Sequence, residues 1–344
     1  MKFTSALEIS TGDFDWRGQR VLVTGGAGFI GSYLVEDLVH LGARVRVADD
    51  LSSGSMKRLA SVAAEVDFVS GDLTDRGLAT IAVKGCDVVF HLAAKAFGML
   101  YSMAHNYDVL RDNVAMTLNV LDACVDARTT RTLMVSSSCV YDDDAPTPTP
   151  EIPVHLGVPE SGNEGYGWSK RFLEIQTTYA HQQMGLPAAI VRPFNAYGGR
   201  YAWQGDASHV VPSLVKKVLD KSGPVEIWGS GKQVRDLLHA RDFALGFRLI
   251  AERITNCEVF NLAGGETITL TELVARIGST IGIEPQVVSD TSKGEGRLRK
   301  EADLTRLHSR IPEFRPTVSL EDGLRDMVDW YEAGLSGWAS RPRS

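Results

Sequence analysis

Two short stretches hold residues that could move a proton and a hydride. Tyr166-Gly-Trp-Ser-Lys170 sets a phenol and an ammonium four positions apart, on one face of a helix. Met134-Val-Ser-Ser-Ser-Cys-Val-Tyr141 reads as an apolar strand that ends in hydroxyls and a thiol. A free tyrosine, with a pKa of about 10, is a poor base at neutral pH. A nearby ammonium and the positive charge of a nicotinamide favour the phenolate and lower that value. Lys170 can also hold a ribose, and Ser137 is placed to donate to a substrate oxygen. Together these groups suit hydride transfer coupled to proton transfer. A lone Tyr-x-x-x-Lys occurs by chance on many helices; the hydroxyl-rich strand end and a glycine loop upstream give this one weight.

That loop is Arg20-Val-Leu-Val-Thr-Gly-Gly-Ala-Gly-Phe-Ile-Gly-Ser32. An apolar strand breaks into glycines and an apolar-periodic helix follows. Gly25 lets the chain turn, Gly28 lets backbone approach a pyrophosphate, and Gly31 lets the helix pack on the sheet. Phe29 and Ile30 open the helix, whose free N–H groups face the phosphates. Asp49 closes the next strand, where a carboxylate accepts from adenosine ribose hydroxyls and repels a 2′-phosphate, so NAD is expected rather than NADP. A strand-end cap is the alternative, and Lys57 and Arg58 lie nearby. Asp72, followed by Leu73, closes the third strand and could meet the adenine or serve as a turn carboxylate. His91-Leu92-Ala93-Ala94 closes the fourth strand with small residues that suit a backbone lying against a cofactor. His91 itself reads as a packed histidine.

The elements that must position these groups are legible from periodicity. Apolar strands at 20–24, 44–48, 66–69, 87–91, 132–136 and 188–191 alternate with helical stretches near 30–41, 78–83, 107–127 and 167–184. This alternation makes an α/β doubly wound parallel sheet of the Rossmann type, with ligands beyond the carboxyl ends of the strands. Residues 1–17 read as a loose lead-in. Residues 18–192, with about 239–262, read as the dinucleotide-binding domain. Residues 193–238 and 263–335 read as a smaller α+β substrate lobe, and 336–344 as a polar tail. A strand at 258–262 is expected to return to the main sheet.

With 344 residues, 44% hydrophobic and 23% charged, the composition is that of an ordinary globular protein. A net charge of −7 gives no reason to expect a nucleic-acid partner. No apolar run approaches the ~20 residues of a membrane span. The start lacks a basic and apolar leader, so no secretory signal is expected. Cys86, Cys124, Cys139 and Cys257 are far apart in sequence, which argues against a disulfide framework or a metal site and fits a cytoplasmic location.

On these motifs the chain resembles the extended short-chain dehydrogenases/reductases that act on sugar nucleotides, over nearly all its length. Within that superfamily it is most similar to GDP-mannose 3,5-epimerase and GDP-L-fucose synthase. Those families place a catalytic cysteine two residues after the serine, as Cys139 follows Ser137. Ser208-His-Val-Val-Pro212 matches the segment where one family has a catalytic histidine and the other a lysine. The resemblance therefore implies that Cys139 and His209 epimerise carbons beside a keto group. Oxidation at C4 acidifies the hydrogens on C3 and C5; a base removes one proton and an acid returns one from the opposite face. Taken alone, Cys139 reads as a small buried hydrophobe and His209 as a polar residue at a helix start.

The resemblance extends to the substrate. Gly98, Met99, Asn195, Lys217, Trp228, Arg235 and Arg299 are implied to bind a nucleotide sugar, a GDP-hexose. Arg235 suits a diphosphate because a guanidinium fork matches phosphate oxygens; Lys217 is a second candidate, or a solvated charge. Arg299 and Lys300 are implied to close over the nucleotide, and Trp203-Gln-Gly resembles a Trp-Lys-Gly of the 3,5-epimerase. Helices near 107–127 and 167–184 are implied to pair as a homodimer seam. The implied activity is an epimerase with tightly bound NAD, inverting C3 and/or C5 through a transient C4 ketone. Two alternatives stand beside it: a fucose-synthase-like epimerase/reductase of a 4-keto-6-deoxyhexose, and a nucleotide-sugar 4-epimerase or dehydratase. The glycine loop and Asp49 favour the first; the segments at 208–212 and 299–308 favour the second.

Overall fold

Strand β1, Arg20–Thr24, carries its apolar side chains on two sides of the chain, and both are covered. Val21 and Val23 enter one core, and Leu22 enters another. The same two-sided alternation recurs in β4 (Val88–His91) and β6 (Ala188–Pro193). It is the pattern of a parallel sheet covered by helices on both faces. In this computed structural model, which describes residues 5–201, 208–220, 223–293 and 296–338, seven strands form that sheet. The others are β2 (Arg44–Asp49), β3 (Asp67–Ser70), β5 (Arg131–Val135) and β10 (Asn256–Leu262). The order is β10-β6-β5-β4-β1-β2-β3, with every pairing parallel. The chain reverses direction across the sheet between β1 and β4, which opens a crevice at their carboxyl ends.

Helices α2 (Phe29–His40) and α8 (Ala240–Arg253) cover one face. Helices α3 (Arg76–Val83), α5 (Asn106–Ala127) and α6 (Glu164–Met184) cover the other. A short helix, α4 (Met99–Ala104), precedes α5. The expected strands and helices all form, with ends displaced by one to three residues where caps and turn hydrogen bonds decide them. Strand β10 joins the sheet beside β6, as its apolar pattern anticipates.

A third core holds Leu214, Val215, Leu273, Ile277, Leu324 and Met327. It is built from α7 (Val210–Asp220), α9 (Leu270–Thr280), α11 (Leu320–Trp338) and the pair β8 (Val225–Trp228) and β12 (Val287–Asp290). Thr269 and Glu272 form a reciprocal capping box at the start of α9. Around β9 (Val234–His239) gather β7 (Asn195–Tyr197), β11 (Thr267–Thr269) and β13 (Arg299–Lys300). Helix α10 (Thr305–Arg310) leads on to α11. No helix among the described residues is long and apolar enough to cross a membrane.

The loose lead-in does not survive from residue 5 onward. After a single turn, α1 (Ser5–Glu8), Ala6, Ile9 and Trp16 enter the first core. The cause is a buried ion pair on α8 that the sequence pattern does not advertise. Glu252 accepts from Arg248 at 2.5 Å, from the Trp16 indole at 2.8 Å and from the Thr11 amide at 2.9 Å. Arg248 also donates to the carbonyls of Ala6 and Ile9 at 3.0 and 2.6 Å. Removing one partner leaves a buried charge uncompensated. Glu252→Ala is therefore expected to lower unfolding free energy by about 3–5 kcal/mol in urea denaturation and to expose residues 5–16 to proteases.

Candidate active site

The glycine loop earns its residues by close contact. Gly25 takes φ +67°, and a Cβ there would lie 2.9 Å from the Ala93 nitrogen. Its amide donates to the Ala48 carbonyl at 2.8 Å. A Cβ on Gly31 would lie 2.3 Å from the Gly25 carbonyl oxygen. Gly28 caps α2 without any side-chain hydrogen bond, so the first amides of the helix stay open, and Phe29 and Ile30 follow half-buried. Thr24 accepts from the Leu92 and Ala93 amides, both at 3.1 Å, and bonds His91 Nδ1 at 2.9 Å. His91 is fully enclosed, and burial, then Lys170, pushes its pKa down to about 3, so it is a neutral packed histidine. The cradle fits the diphosphate of a dinucleotide, since any added side chain would fill it.

Asp49 is buried at the end of β2. One oxygen accepts from the Ala27 amide at 3.0 Å and the other from the Leu51 amide at 2.8 Å. It braces the glycine loop while standing where a ribose would come. Arg58 is buried beneath the same loop, donating to the Ala27 and Ser53 carbonyls at 3.0 and 2.8 Å. Asp72 accepts from the Thr74 amide at 2.9 Å and lies 3.9 Å from Lys95, the geometry of a turn carboxylate. Leu73 is buried beside it, and its carbonyl accepts from Asn119 at 3.0 Å.

The proton-handling residues come together where β5 and α6 meet. Ser137 follows the end of β5, and its hydroxyl accepts from the Cys139 amide at 3.1 Å. Lys170 is buried, donates to the Val135 carbonyl at 2.8 Å, and sits 5.5 Å from the Tyr166 ring centroid. Burial lowers the Lys170 pKa to about 8, against the pull of Glu174 and Cys139. The depression of Tyr166 expected from Lys170 is not produced by this chain alone. Burial, then the neighbouring Cys139, pushes the phenol up, with Ser137 opposing.

Cys139 is half-buried in the same cluster, and burial, then Glu160, pushes its thiol up to about 11. Glu160 is buried, and its amide donates to the Cys139 carbonyl at 3.2 Å. Its carboxylate takes an ion pair from Lys300 of β13 at 2.5 Å. Burial works against that carboxylate, but Lys300 overrides it and holds Glu160 below its ordinary range. His209 stands just before α7 and is exposed to solvent. Its amide donates to the Tyr201 hydroxyl at 3.0 Å, and Tyr201 in turn packs on Phe29 of the glycine loop, ring centroids 5.4 Å apart. The protein around the imidazole, then Lys300, lowers its pKa; the solvent reaching it softens that effect. Lys300 thus acts on both Cys139 and His209.

The pattern of the NAD dependent epimerase/dehydratase family matches residues 21–263, most of the chain. This chain belongs to that family. Among relatives, a putative GDP-L-fucose synthase 2 of Oryza sativa subsp. japonica is 31% identical over 323 residues, covering 92% of this chain and 87% of the relative. Among solved structures, the epimerase Mth375 of Methanothermobacter thermautotrophicus superposes with TM-score 0.84 at 26% identity over 98% of both chains. A UDP-glucose 4-epimerase from Thermotoga maritima with UDP-glucose gives 0.82 at 27% identity over 92% of this chain and 100% of that one.

The remaining residues expected at the site lie beyond the sheet, and their placement is uneven. Arg235 on β9 is buried, bonds the Val234 and Arg297 carbonyls at 2.8 and 3.1 Å, and acts electrostatically on Glu160. Asn195 on β7 donates to the Asp236 carbonyl at 3.0 Å. Lys217 donates to the Glu226 carbonyl at 2.7 Å, and Trp228 to the Glu226 carboxylate at 2.9 Å. Gly98 caps α4, which Met99 opens. Arg299 turns outward, half-exposed and paired with Glu301 at 2.6 Å, while its neighbour Lys300 turns inward. The alternation of a strand imposes this split. Trp203 and Gln204 lie outside the described residues. Glu160 escaped the sequence reading, because a glutamate six residues before Tyr166 in a polar loop carries no periodic signal.

The cradle predicts a cofactor phenotype. Gly31→Ala must displace the Gly25 carbonyl, an overpacking cost of about 1–3 kcal/mol. Titration with NADH and NADPH is expected to show dinucleotide affinity reduced about tenfold or more for either, with circular dichroism unchanged.

Proposed function

We propose that this chain is a nucleotide-sugar epimerase/reductase of the GDP-L-fucose synthase type. Residues 18–192 with about 239–262 form its cofactor-binding unit, and 193–238 with 263–335 its substrate lobe. The observation that carries the reading is the placement of Cys139 on the turn after β5, its amide on the Ser137 hydroxyl at 3.1 Å and its carbonyl against Gly167 of the helix that bears Tyr166 and Lys170. Relatives named GDP-L-fucose synthase support it over a GDP-mannose 3,5-epimerase.

The substrate class is a GDP-linked 4-keto-6-deoxyhexose. Its carbonyl acidifies the hydrogens at C3 and C5. Cys139 and His209, approaching from two elements, remove and return a proton at those carbons. Ser137 donates a hydrogen bond to the C4 oxygen. The bound dinucleotide supplies the hydride to C4. Tyr166 gives a proton to the C4 oxygen, and the product is the 4-hydroxy sugar. Lys170 holds the phenol's surroundings in place and can reach a ribose.

An apolar face supports a homodimer. Tyr107 and Leu118 on α5, with Phe172, Ile175 and Tyr179 on α6, are exposed on two helices that pack together. The four free thiols fit a reducing compartment.

Incubation in D2O with the GDP-linked 4-keto-6-deoxyhexose and NADH, with NADPH in parallel, tests the reading. The expected result is deuterium at C3 and C5 of the sugar with one reduced cofactor consumed per product. Cys139→Ser and His209→Asn are each expected to slow turnover about 10²–10⁴-fold while dinucleotide binding persists. Wild-type rates in both variants would remove the acid–base pair from the mechanism. Exchange on GDP-mannose without net cofactor consumption would favour the 3,5-epimerase instead.

A further inference from the structure

Arg200 and Tyr201 belong to no helix or strand, yet between them they touch α2, α11 and the start of α7. Arg200 stands at φ +64°, a left-handed backbone that residues other than glycine hold only where the surroundings enforce it. Its guanidinium donates to Glu36 of α2 at 2.8 and 2.7 Å and to the Ser32 hydroxyl at 3.3 Å, and it lies 4.1 Å over the Tyr33 ring. On the far side, the Gly199 amide donates to Asp326 of α11 at 2.7 Å, and the Trp330 indole donates to the Tyr201 carbonyl at 3.1 Å. The backbone on either side of Arg200 is thus pinned to α11 while its side chain is pinned to the first turns of α2.

This clamp aims the Tyr201 side chain. Its ring meets Phe29, the first residue of α2, edge to face with centroids 5.4 Å apart. It meets the His209 imidazole edge to face at 6.0 Å, and its hydroxyl accepts from the His209 amide at 3.0 Å. Phe29 follows Gly28, where the first amides of the helix are open. One ring therefore lies between the loop that would receive a dinucleotide and the residue that precedes α7. Aromatic pairs at such separations attract with a preferred orientation, and the bond to a main-chain amide adds a second direction.

We propose that Tyr201 is a positioning residue that sets His209 at a fixed place relative to the dinucleotide loop, with Arg200 holding Tyr201 to that task. The proposal rests on the reading above, in which His209 exchanges a proton at a carbon beside the sugar ketone. The hydride step belongs to Ser137, Tyr166 and Lys170, which the end of β5 and α6 carry without help from Tyr201. Loss of the Tyr201 contacts therefore separates the two halves of the reaction. Proton exchange at carbon depends on where α7 begins, and hydride transfer does not. Misplacing a reacting group by about 1 Å costs up to about 10²-fold in rate, so a small shift of His209 is enough to be read.

Two assays on the full chain read the halves apart. Deuterium entry at C3 and C5 of the GDP-linked 4-keto-6-deoxyhexose, in D2O with oxidised dinucleotide so that no reduction follows, reports proton exchange. Oxidation of the GDP-linked 4-hydroxy product by oxidised dinucleotide, followed as reduced-cofactor absorbance, reports hydride transfer. Tyr201→Phe keeps both ring contacts and loses only the hydroxyl; exchange should slow about tenfold while hydride transfer changes less than about twofold. Tyr201→Leu also removes the ring, and dinucleotide affinity should then fall about threefold to tenfold as Phe29 loses its partner. Arg200→Met leaves Tyr201 intact and breaks the bonds to Glu36; exchange should again slow about tenfold with hydride transfer spared. An exchange-to-hydride ratio within about twofold of the wild type in Tyr201→Phe overturns the proposal, since a merely structural role lowers both rates together. The same result in Arg200→Met removes Arg200 from it. Should Tyr201→Phe lose its fold, Arg200→Met decides the point through the same ratio. Failure of the underlying reading has a different signature: the wild type itself admits no deuterium, or His209→Asn leaves exchange untouched, and the proposal falls with it.

Discussion

The active site depends on a buried ion pair behind it. Arg192, at the end of β6, makes two bonds to Glu174 of α6 at 2.8 and 2.6 Å, with both side chains almost wholly buried. Ser136, next to Ser137, donates to the same carboxylate at 2.5 Å. Arg192 also donates to the Tyr141 hydroxyl at 2.9 Å, and that hydroxyl bonds Asn261 of β10. The pair thus bolts the end of β5, the helix bearing Tyr166 and Lys170, and two further strands into one rigid block. Buried charges are costly unless fully paired and hydrogen-bonded, and here every arm of the fork has a partner. Lys170 sits one helical turn before Glu174 and feels its charge. Arg171 completes the block by donating to the Val140 carbonyl at 2.8 and 2.6 Å, which fixes the turn that carries Cys139.

A second set of polar contacts registers the C-terminal elements on the sheet. Asp326 of α11 accepts from the Gly199 amide at 2.7 Å, meets His239 at 3.1 Å and takes the Tyr33 hydroxyl of α2 at 3.2 Å. Arg200 reaches back to Glu36 of α2 at 2.8 and 2.7 Å. The helix that presents its open amides to a dinucleotide is therefore held from behind by the segments that deliver Tyr201 and His209.

Local pattern carried much of this information. The seven strands of the main sheet, the long helices and the dinucleotide loop follow from period-two and period-3.6 apolar spacing, because each side of a strand or stripe of a helix must be buried. The roles of Gly25 and Gly31 follow as well, since only a missing Cβ permits those approaches. The short strands β7, β9, β11 and β13 escaped, being partly polar and defined by pairing alone. The order of residues 5–16 escaped because it rests on a single buried carboxylate on α8.

What the sequence alone determined was the class of the fold, the dinucleotide cradle and the Ser137, Tyr166 and Lys170 set, all encoded within a few turns of chain. What only the tertiary structure decided was the charge environment. It turned Lys300 inward, onto Glu160, and Arg299 outward. It also raised the proton affinity of Tyr166 where a neighbouring ammonium had been expected to lower it. The reason is physical: spacing along a chain specifies which groups share a face, but a pKa or an ion pair depends on what the rest of the molecule excludes or brings near.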